Sequence, residues 1–407
     1  MITEKPFFDP SYVEDERKEL ERRVDELLTR GVNEVIGDDL RDRLLSGEIL
    51  RVKFGTDPTS PYIHIGRAVP LRKLRQFQDL GHQIVLIIGD FTGEVGDTSD
   101  KPTGRAMQSS EKISQNMLTY AEQCGKILDL SKTEVHFNSE WLNKLTFGEV
   151  CRLADMFSVS EFIQRNIIRD RLNNGQRVSA RELLYPLMQG FDSVAVRADV
   201  EIGGTDQRYN LLAGREIQKQ YGQRSQSVMT MNLINGLDGR KMSSSWGNVV
   251  NLMDTNIDMF GKMMSMKDEE MIDYFVHCTG IPMERIGDLA TKLKQQDINP
   301  MEVKMELAFE LTCQYHGGKM AVEALNHFTH TIREKNIPTE LTTLEVDSRE
   351  IIGVLVQSGF ASTRSEAKRL ILSRGVFVND KVVESFDFEL PPNVVLRKGK
   401  RAFVRVL

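Results

Sequence analysis

Two segments of this sequence combine residue types suited to phosphate chemistry. The first reads Gly55-Thr56-Asp57-Pro58-Thr59 and continues to His64-Ile65-Gly66-Arg67. A helix opening just after His64 would turn its free N–H groups and the positive end of its dipole toward this loop, favouring an anion there. His64 can donate to a phosphate oxygen, Thr59 adds a hydroxyl, and Arg67 adds a charge-assisted donor. Gly66 would let a ribose or a flat ring approach the backbone. A histidine in this position can equally serve as a helix cap. The second segment runs from Gly236 to Asn248 and carries Arg240, Lys241, Met242 and the hydroxyls Ser243, Ser244 and Ser245. A glycine-bounded loop of this kind can close over a triphosphate, with lysine neutralising charge as pyrophosphate departs. A solvated turn could share that composition, but the two segments, at 64 and 241, stand 177 residues apart and are harder to get together by chance. A third set, Tyr185, Gln189 and Asp192, is spaced by four and three, so a helix presents all three on one face.

The elements that must position these residues follow from periodicity. Residues 9–30 read as a helix stopped by Gly31, and Ile49–Phe54 as a strand cut off by Gly55-Thr56-Asp57-Pro58. A helix is expected from about Gly66 to Leu80, then the β-branched run Gln83–Ile88, which has the pattern of a strand buried on both faces. Strand, helix, strand is a βαβ unit, and a second one runs from Val200-Glu201-Ile202 through Gly203-Gly204-Thr205-Asp206 and a helix to Val228–Met231. Residues 111–195 read mostly as helix between the two units. Ligands of such sheets gather at the carboxyl ends of the strands where strand order reverses, which is where these unusual residues fall. The expected organisation is an N-terminal helical segment (1–32), a Rossmann-like doubly wound parallel sheet (33–232) with a helical insertion (about 111–195), an α-helical domain including the signature loop (233–335), a polar linker (336–348) and a small α+β domain (349–407).

Composition excludes several classes. The longest aliphatic run, Ile84–Ile88, is far short of the roughly 20 residues that span a bilayer. No secretory leader is visible at Met1–Lys5, and four scattered cysteines without paired spacing suit a reducing cytosol rather than a disulfide scaffold or a structural zinc. Neither a G-x-G-x-x-G fingerprint nor a G-x-x-x-x-G-K-[ST] loop is present, so nicotinamide and P-loop readings lack their signatures. The net charge of −6 hides an asymmetry: residues 349–407 hold 11 Lys/Arg against 6 Asp/Glu, leaving −11 on the rest. A basic tail on an acidic body points to a polyanion held at one end, although excess charge also keeps a small domain soluble.

His64-Ile65-Gly66-Arg67 resembles the H-I-G-H signature, and Lys241-Met242-Ser243-Ser244-Ser245 the K-M-S-K-S signature, of class I aminoacyl-tRNA synthetases. Gly89-Asp90-Phe91-Thr92-Gly93 with Gly96-Asp97, the stretch Leu184–Asp192 and Gly203–Gln207 narrow the resemblance to the bacterial tyrosyl branch. Ser365–Ile371 through Val378-Asn379 to Leu396–Arg401 is similar to an S4 RNA-binding domain.

The resemblance implies ATP-dependent activation of L-tyrosine and its transfer to tRNA(Tyr), in the cytoplasm and as a homodimer, without membrane or DNA partners. It implies Thr59, His64, Lys241, Ser243 and Ser244 as catalytic groups. Gly55, Asp57, Gly66, Arg67, Gly204, Asp206, Lys241 and Met242 would bind ATP. Asp97, Tyr185, Gln189, Asp192 and Gln207 would bind tyrosine, with Asp192 accepting from the phenol. Arg364, Lys368, Arg369, Arg397, Lys398, Lys400 and Arg401 would contact RNA. Mg²⁺ would accompany ATP, with no metal site of the protein's own. Arg67 and Ser244 depart from the two signatures, Thr98 stands where proline is common, and Lys53 takes a strand position that holds a phenol-contacting tyrosine in one branch. The competing expectation is an RNA-binding paralogue that keeps the fold but no longer activates an amino acid.

Overall fold

A computed structural model describes residues 10–98, 107–243, 246–330, 341, 343–346, 348–379, 381–399 and 402–407. Ser244, Lys400, Arg401 and most of the 336–348 linker therefore lie outside the described residues. The chain divides into two compact units, Met1–Ala321 and Val322–Leu407.

The first unit is built on six strands: β1 (Val32–Ile36), β2 (Arg51–Thr56), β3 (Gln83–Ile88), β4 (Thr133–Phe137), β5 (Val200–Gly204) and β6 (Ser227–Met231). Their spatial order is β1-β6-β5-β2-β3-β4, and every neighbouring pair is parallel except β1 with β6. From β2 the sheet grows one way through β3 and β4 and the other way through β5 and β6. The order thus reverses between β2 and β5, opening a crevice beyond their carboxyl ends. Ile84 to Ile88 are at most 2 % exposed, as expected of a central parallel strand covered on both faces.

Two strands depart from the expected layout. β4 lies inside the insertion read as helical. Its five residues, Thr-Glu-Val-His-Phe, are all half-buried, because as an edge strand it pairs only with β3. β1 follows directly on Gly31, whose φ of +67° turns the chain out of the Pro10–Thr29 helix and lays the strand antiparallel on β6, making the sheet mixed.

Helix Ile65–Asp79 joins β2 to β3 and ends before Gly81 (φ +90°). Helix Ala180–Ala195 opens on a capping box in which Ser179 caps and Glu182 returns a bond to the Ser179 N–H at 2.9 Å. Glu182 is also paired with buried Arg171 at 2.5 Å and accepts from Thr98 Oγ1 at 2.8 Å. The unexpected threonine therefore ties the Gly96-Asp97 segment to the start of this helix. Gly190 lets helix Arg208–Gln220 pack against it, since a Cβ there would lie 2.7 Å from Ile217 Cδ1. After Asn248 come the helices Asn256–Met264, Met271–Cys278, Met283–Gln295 and Pro300–His316.

In the second unit, β7 (Thr343–Leu344), β8 (Val376–Val378), β9 (Lys381–Val382), β10 (Val394–Lys398) and β11 (Ala402–Val406) form a sheet ordered β7-β11-β10-β8-β9. Helices Ile351–Gln357 and Arg364–Leu372 share its core, with Val354, Leu355, Ala367, Leu396 and Val406 fully buried.

Candidate active site

The crevice at the β2/β5 reversal is a cavity of about 420 Å³. Every described residue that the sequence reading directs at ATP, tyrosine or catalysis lines it.

At one end the two signatures meet. Ile65 N–H donates to the Val250 carbonyl at 2.8 Å and Leu252 N–H to that of Ile63 at 2.9 Å, so the segment after the serine loop lies strand-like on the first signature. Gly66 N–H points at Met242 Sδ, 3.3 Å away, and a Cβ on Gly66 would stand 2.8 Å from that sulfur. His64 is both the cap of its helix and a cavity residue: Nδ1 accepts from Arg67 N–H at 3.3 Å, which leaves Nε2 as the donor. Burial, and then the Arg67 charge, push its pKa down to about 3, so it serves as a neutral donor. Arg67 does not stand free over the cavity. Its guanidinium donates to Thr59 Oγ1 at 3.1 Å and Tyr120 Oη at 3.2 Å, fixing the threonine.

The loop that carries Lys241 is pinned by Asn248, which sequence reasoning used only as a boundary. Asn248 Nδ2 donates to Asp238 Oδ1 at 2.8 Å and to the Lys241 carbonyl at 3.1 Å, while Oδ1 accepts from Ser243 N–H at 2.9 Å. Arg240 turns away from the cavity, paired with Asp238 and 4.9 Å from the centre of the Trp246 ring.

The far end is a hydrogen-bonded chain. Tyr185 Oη donates to Asp57 Oδ2 at 2.8 Å, and Thr92 Oγ1 to Asp57 Oδ1 at 2.7 Å. Asn138 Nδ2 bonds to Thr92 Oγ1 at 2.9 Å and to Asp192 Oδ2 at 3.3 Å, and Trp141 Nε1 donates to Asp192 Oδ1 at 2.7 Å. Burial pushes the Asp192 carboxyl up to about 7, against the opposing pull of Lys53 and the Trp141 and Asn138 bonds. Burial and then Asp57 raise the Tyr185 phenol well above its ordinary value. Gln207 Nε2 donates to Asp97 Oδ2 at 2.7 Å, joining two of the residues that the sequence reading directs at tyrosine. Asn138 and Trp141 escaped the sequence reading because no spacing marks them; only the turn after β4 brings them to Asp192. Lys53 lies beneath the cavity rather than in its lining, fully buried and 2.9 Å from Glu201.

In the second unit, Arg364, Lys368 and Arg369 are exposed on one helix, Arg364 pairing with Glu350 at 2.7 Å. Arg397 is buried with its guanidinium 3.7 Å from the centre of the Phe377 ring, and Lys398 donates to the Phe360 carbonyl at 2.5 Å. These two are engaged within the domain core and its edge.

The family described as tRNA synthetases class I (W and Y) matches residues 46–332, and the S4 domain residues 354–396. The tyrosine–tRNA ligase of Thermotoga maritima is 46 % identical over 385 residues, 93 % of this chain and 96 % of that protein. That of Carboxydothermus hydrogenoformans is 42 % identical over 405 residues, 96 % of this chain and 98 % of that protein. The same fold occurs in a C-terminally truncated mitochondrial tyrosyl-tRNA synthetase of Aspergillus nidulans (TM-score 0.62, 22 % identity, 78 % of this chain and 99 % of that one). It also occurs in the Archaeoglobus fulgidus tyrosyl-tRNA synthetase complexed with L-tyrosine (TM-score 0.60, 22 % identity, 75 % of this chain and 99 % of that one). With both signatures in one crevice and relatives matched almost end to end, this chain belongs to the tyrosine–tRNA ligase family of class I tRNA synthetases.

Proposed function

We infer that the protein activates L-tyrosine with ATP, releasing pyrophosphate, and transfers the tyrosyl group to the 3′ end of tRNA(Tyr). The observation that carries this reading is Asp192, a buried carboxylate at the floor of the crevice whose oxygens meet Trp141 and Asn138. It offers a tyrosine phenol an acceptor that phenylalanine would leave unpaired, and such a penalty makes an editing domain unnecessary.

The reaction needs no protein nucleophile. The tyrosine carboxylate attacks the ATP α-phosphate, pyrophosphate leaves, and a terminal ribose hydroxyl of tRNA then attacks the acyl carbon. Gln189, Asp97 and Gln207 hold the amino-acid end; Gly55, Gly66, Gly204, Asp206 and Met242 shape the nucleotide side. Neutral His64, Thr59 held by Arg67, and the loop bearing Lys241, Ser243 and Ser244 stabilise charge that builds as pyrophosphate leaves. Among the described residues no three His, Cys, Asp or Glu side chains converge on a metal position, and both Asp57 oxygens already accept hydrogen bonds. Mg²⁺ would enter with ATP as MgATP, held mainly by phosphates and water.

Arg364, Lys368 and Arg369 supply the exposed cations of the RNA-binding domain, while Arg397 and Lys398, on its central strand β10, are engaged within the domain. We assign the enzyme to the cytoplasm and to a homodimer. No helix among the described residues is long and apolar enough to cross a membrane.

ATP–pyrophosphate exchange measured with each amino acid in turn tests the activity. Exchange that depends on tyrosine supports it. A folded protein that binds RNA but exchanges with none is the inactive paralogue.

A further inference from the structure

Two ionisable side chains with no part in the chemistry above lie under the amino-acid end of the crevice. Parallel strands β2 and β5 place Lys53 directly opposite Glu201, and both residues are at most 1 % exposed. Lys53 Nζ is 2.9 Å from Glu201 Oε1 and donates to the Gln189 carbonyl and to Ser193 Oγ, each at 2.8 Å. Glu201 accepts in turn from Gln189 Nε2 at 3.1 Å, from Ser193 Oγ at 3.1 Å and from Gln226 Nε2 at 2.5 Å. Gly214 lets the Arg208–Gln220 helix close over this network, since a Cβ there would lie 2.6 Å from Gln226 Nε2.

Burying an ion pair costs desolvation that its own attraction rarely exceeds, so stability alone is a weak reason for it. Apart from the Gln226 bond, its bonds fall on one turn of the Ala180–Ala195 helix: the backbone and side chain of Gln189, and Ser193 next to Asp192. Resting on the tyrosine reading above, we propose that Lys53 and Glu201 are a positioning pair that holds Gln189 and Asp192 in the tyrosine-binding geometry, making them determinants of amino-acid specificity.

The two charges act on Asp192 with opposite signs: Lys53 favours its ionised form and Glu201 opposes it. The other groups facing it are Trp141 and Asn138 from the segment after β4, Thr92 through Asn138, and Tyr185 from its own helix, itself bonded to Asp57. Lys53→Met therefore moves the acid limb of kcat/KM for tyrosine to higher pH, and Glu201→Gln moves it to lower pH. A merely structural pair would give both variants the same defect. Removing one partner can prevent folding, so the double variant Lys53→Met/Glu201→Leu, which replaces the pair by apolar side chains, is measured beside them.

The experiment is pyrophosphate exchange by purified full-length protein, with tyrosine and phenylalanine, across pH. Opposite shifts in the single variants, with tyrosine-over-phenylalanine discrimination down at least tenfold and the KM for ATP unchanged in the double variant, bear the proposal out. Unmoved or same-direction limbs overturn it, as does full discrimination in the double variant. Should the single variants not fold, discrimination in the double variant decides alone. Wild-type protein inactive with tyrosine would sink the activity reading itself, a different result from active variants with unchanged specificity.

Discussion

The Tyr185 hydroxyl donates to Asp57 across 2.8 Å, and this bond joins helix Ala180–Ala195 to the loop that runs from β2 to His64. Tyr185→Phe removes that bond, whose net worth is about 0.5–1.5 kcal/mol. Steady-state exchange should show kcat/KM lower by roughly three- to tenfold, with the KM values for tyrosine and ATP both raised. A change confined to tyrosine would show that the two halves of the crevice are not coupled through Asp57.

Arg67 reaches Thr59 and Tyr120, so its effect on ATP runs through the threonine as well as through charge. Arg67→His, which restores the common signature, should stay active and shift the KM for ATP more than kcat. His64→Ala should instead lower kcat, by about 10²-fold or more, because its partner gains charge only as pyrophosphate leaves. An ATP series on both variants separates the effects, and an unchanged kcat for His64→Ala contradicts this division of labour. With the imidazole held neutral by a pKa near 3, His64 should also add no limb to the rate profile between about pH 5 and 9.

The buried Asp192 carboxyl makes a signed stability prediction. Its pKa is raised to about 7, above the ordinary unfolded value, so its contribution is fully present below pH ~4 and is lost as pH rises through 7. Compared with Asp192→Asn, which does not titrate, the wild type should lose on the order of 2–4 kcal/mol between pH 4 and 8. Parallel denaturant titrations at the two pH values measure the difference. A constant gap means that the carboxyl is not perturbed.

Replacing Arg364, Lys368 and Arg369 together by alanine should leave tyrosine activation intact and weaken tRNA charging. Because such cations act through phosphates, each lost contact should flatten the salt dependence of tRNA binding by about one unit of log–log slope. Equal charging by variant and wild type at low salt would show that this helix does not touch RNA.

The centre of the fold was legible because its signals are local. Gln83–Ile88 is a β-branched run ended by glycine, and its burial on both faces follows from that composition. β4 was not, because a five-residue edge strand with polar alternation resembles the polar turns of a helix. The crevice residues were legible through the spacing of the two signatures and of Tyr185, Gln189 and Asp192. The groups that hold them were not. Lys53 and Glu201 each read as an ordinary charge in a short strand, 148 residues apart, and only the β2/β5 register makes them a pair. Trp141 and Asn138 likewise gain meaning only once β4 sets the turn that carries them to Asp192.

The central claim is that Asp192 reads the phenol, and the most direct measurement is kcat/KM for pyrophosphate exchange with tyrosine and with phenylalanine, by wild-type protein and by Asp192→Ala. Wild-type protein should prefer tyrosine by about 10⁴-fold or more, a magnitude known for enzymes of this type rather than obtained from the distances here. Asp192→Ala should lower that preference by roughly 10- to 150-fold, as expected when a buried hydrogen bond to a charged acceptor, worth about 1.5–3 kcal/mol, is lost. An unchanged ratio in a folded variant would contradict the account.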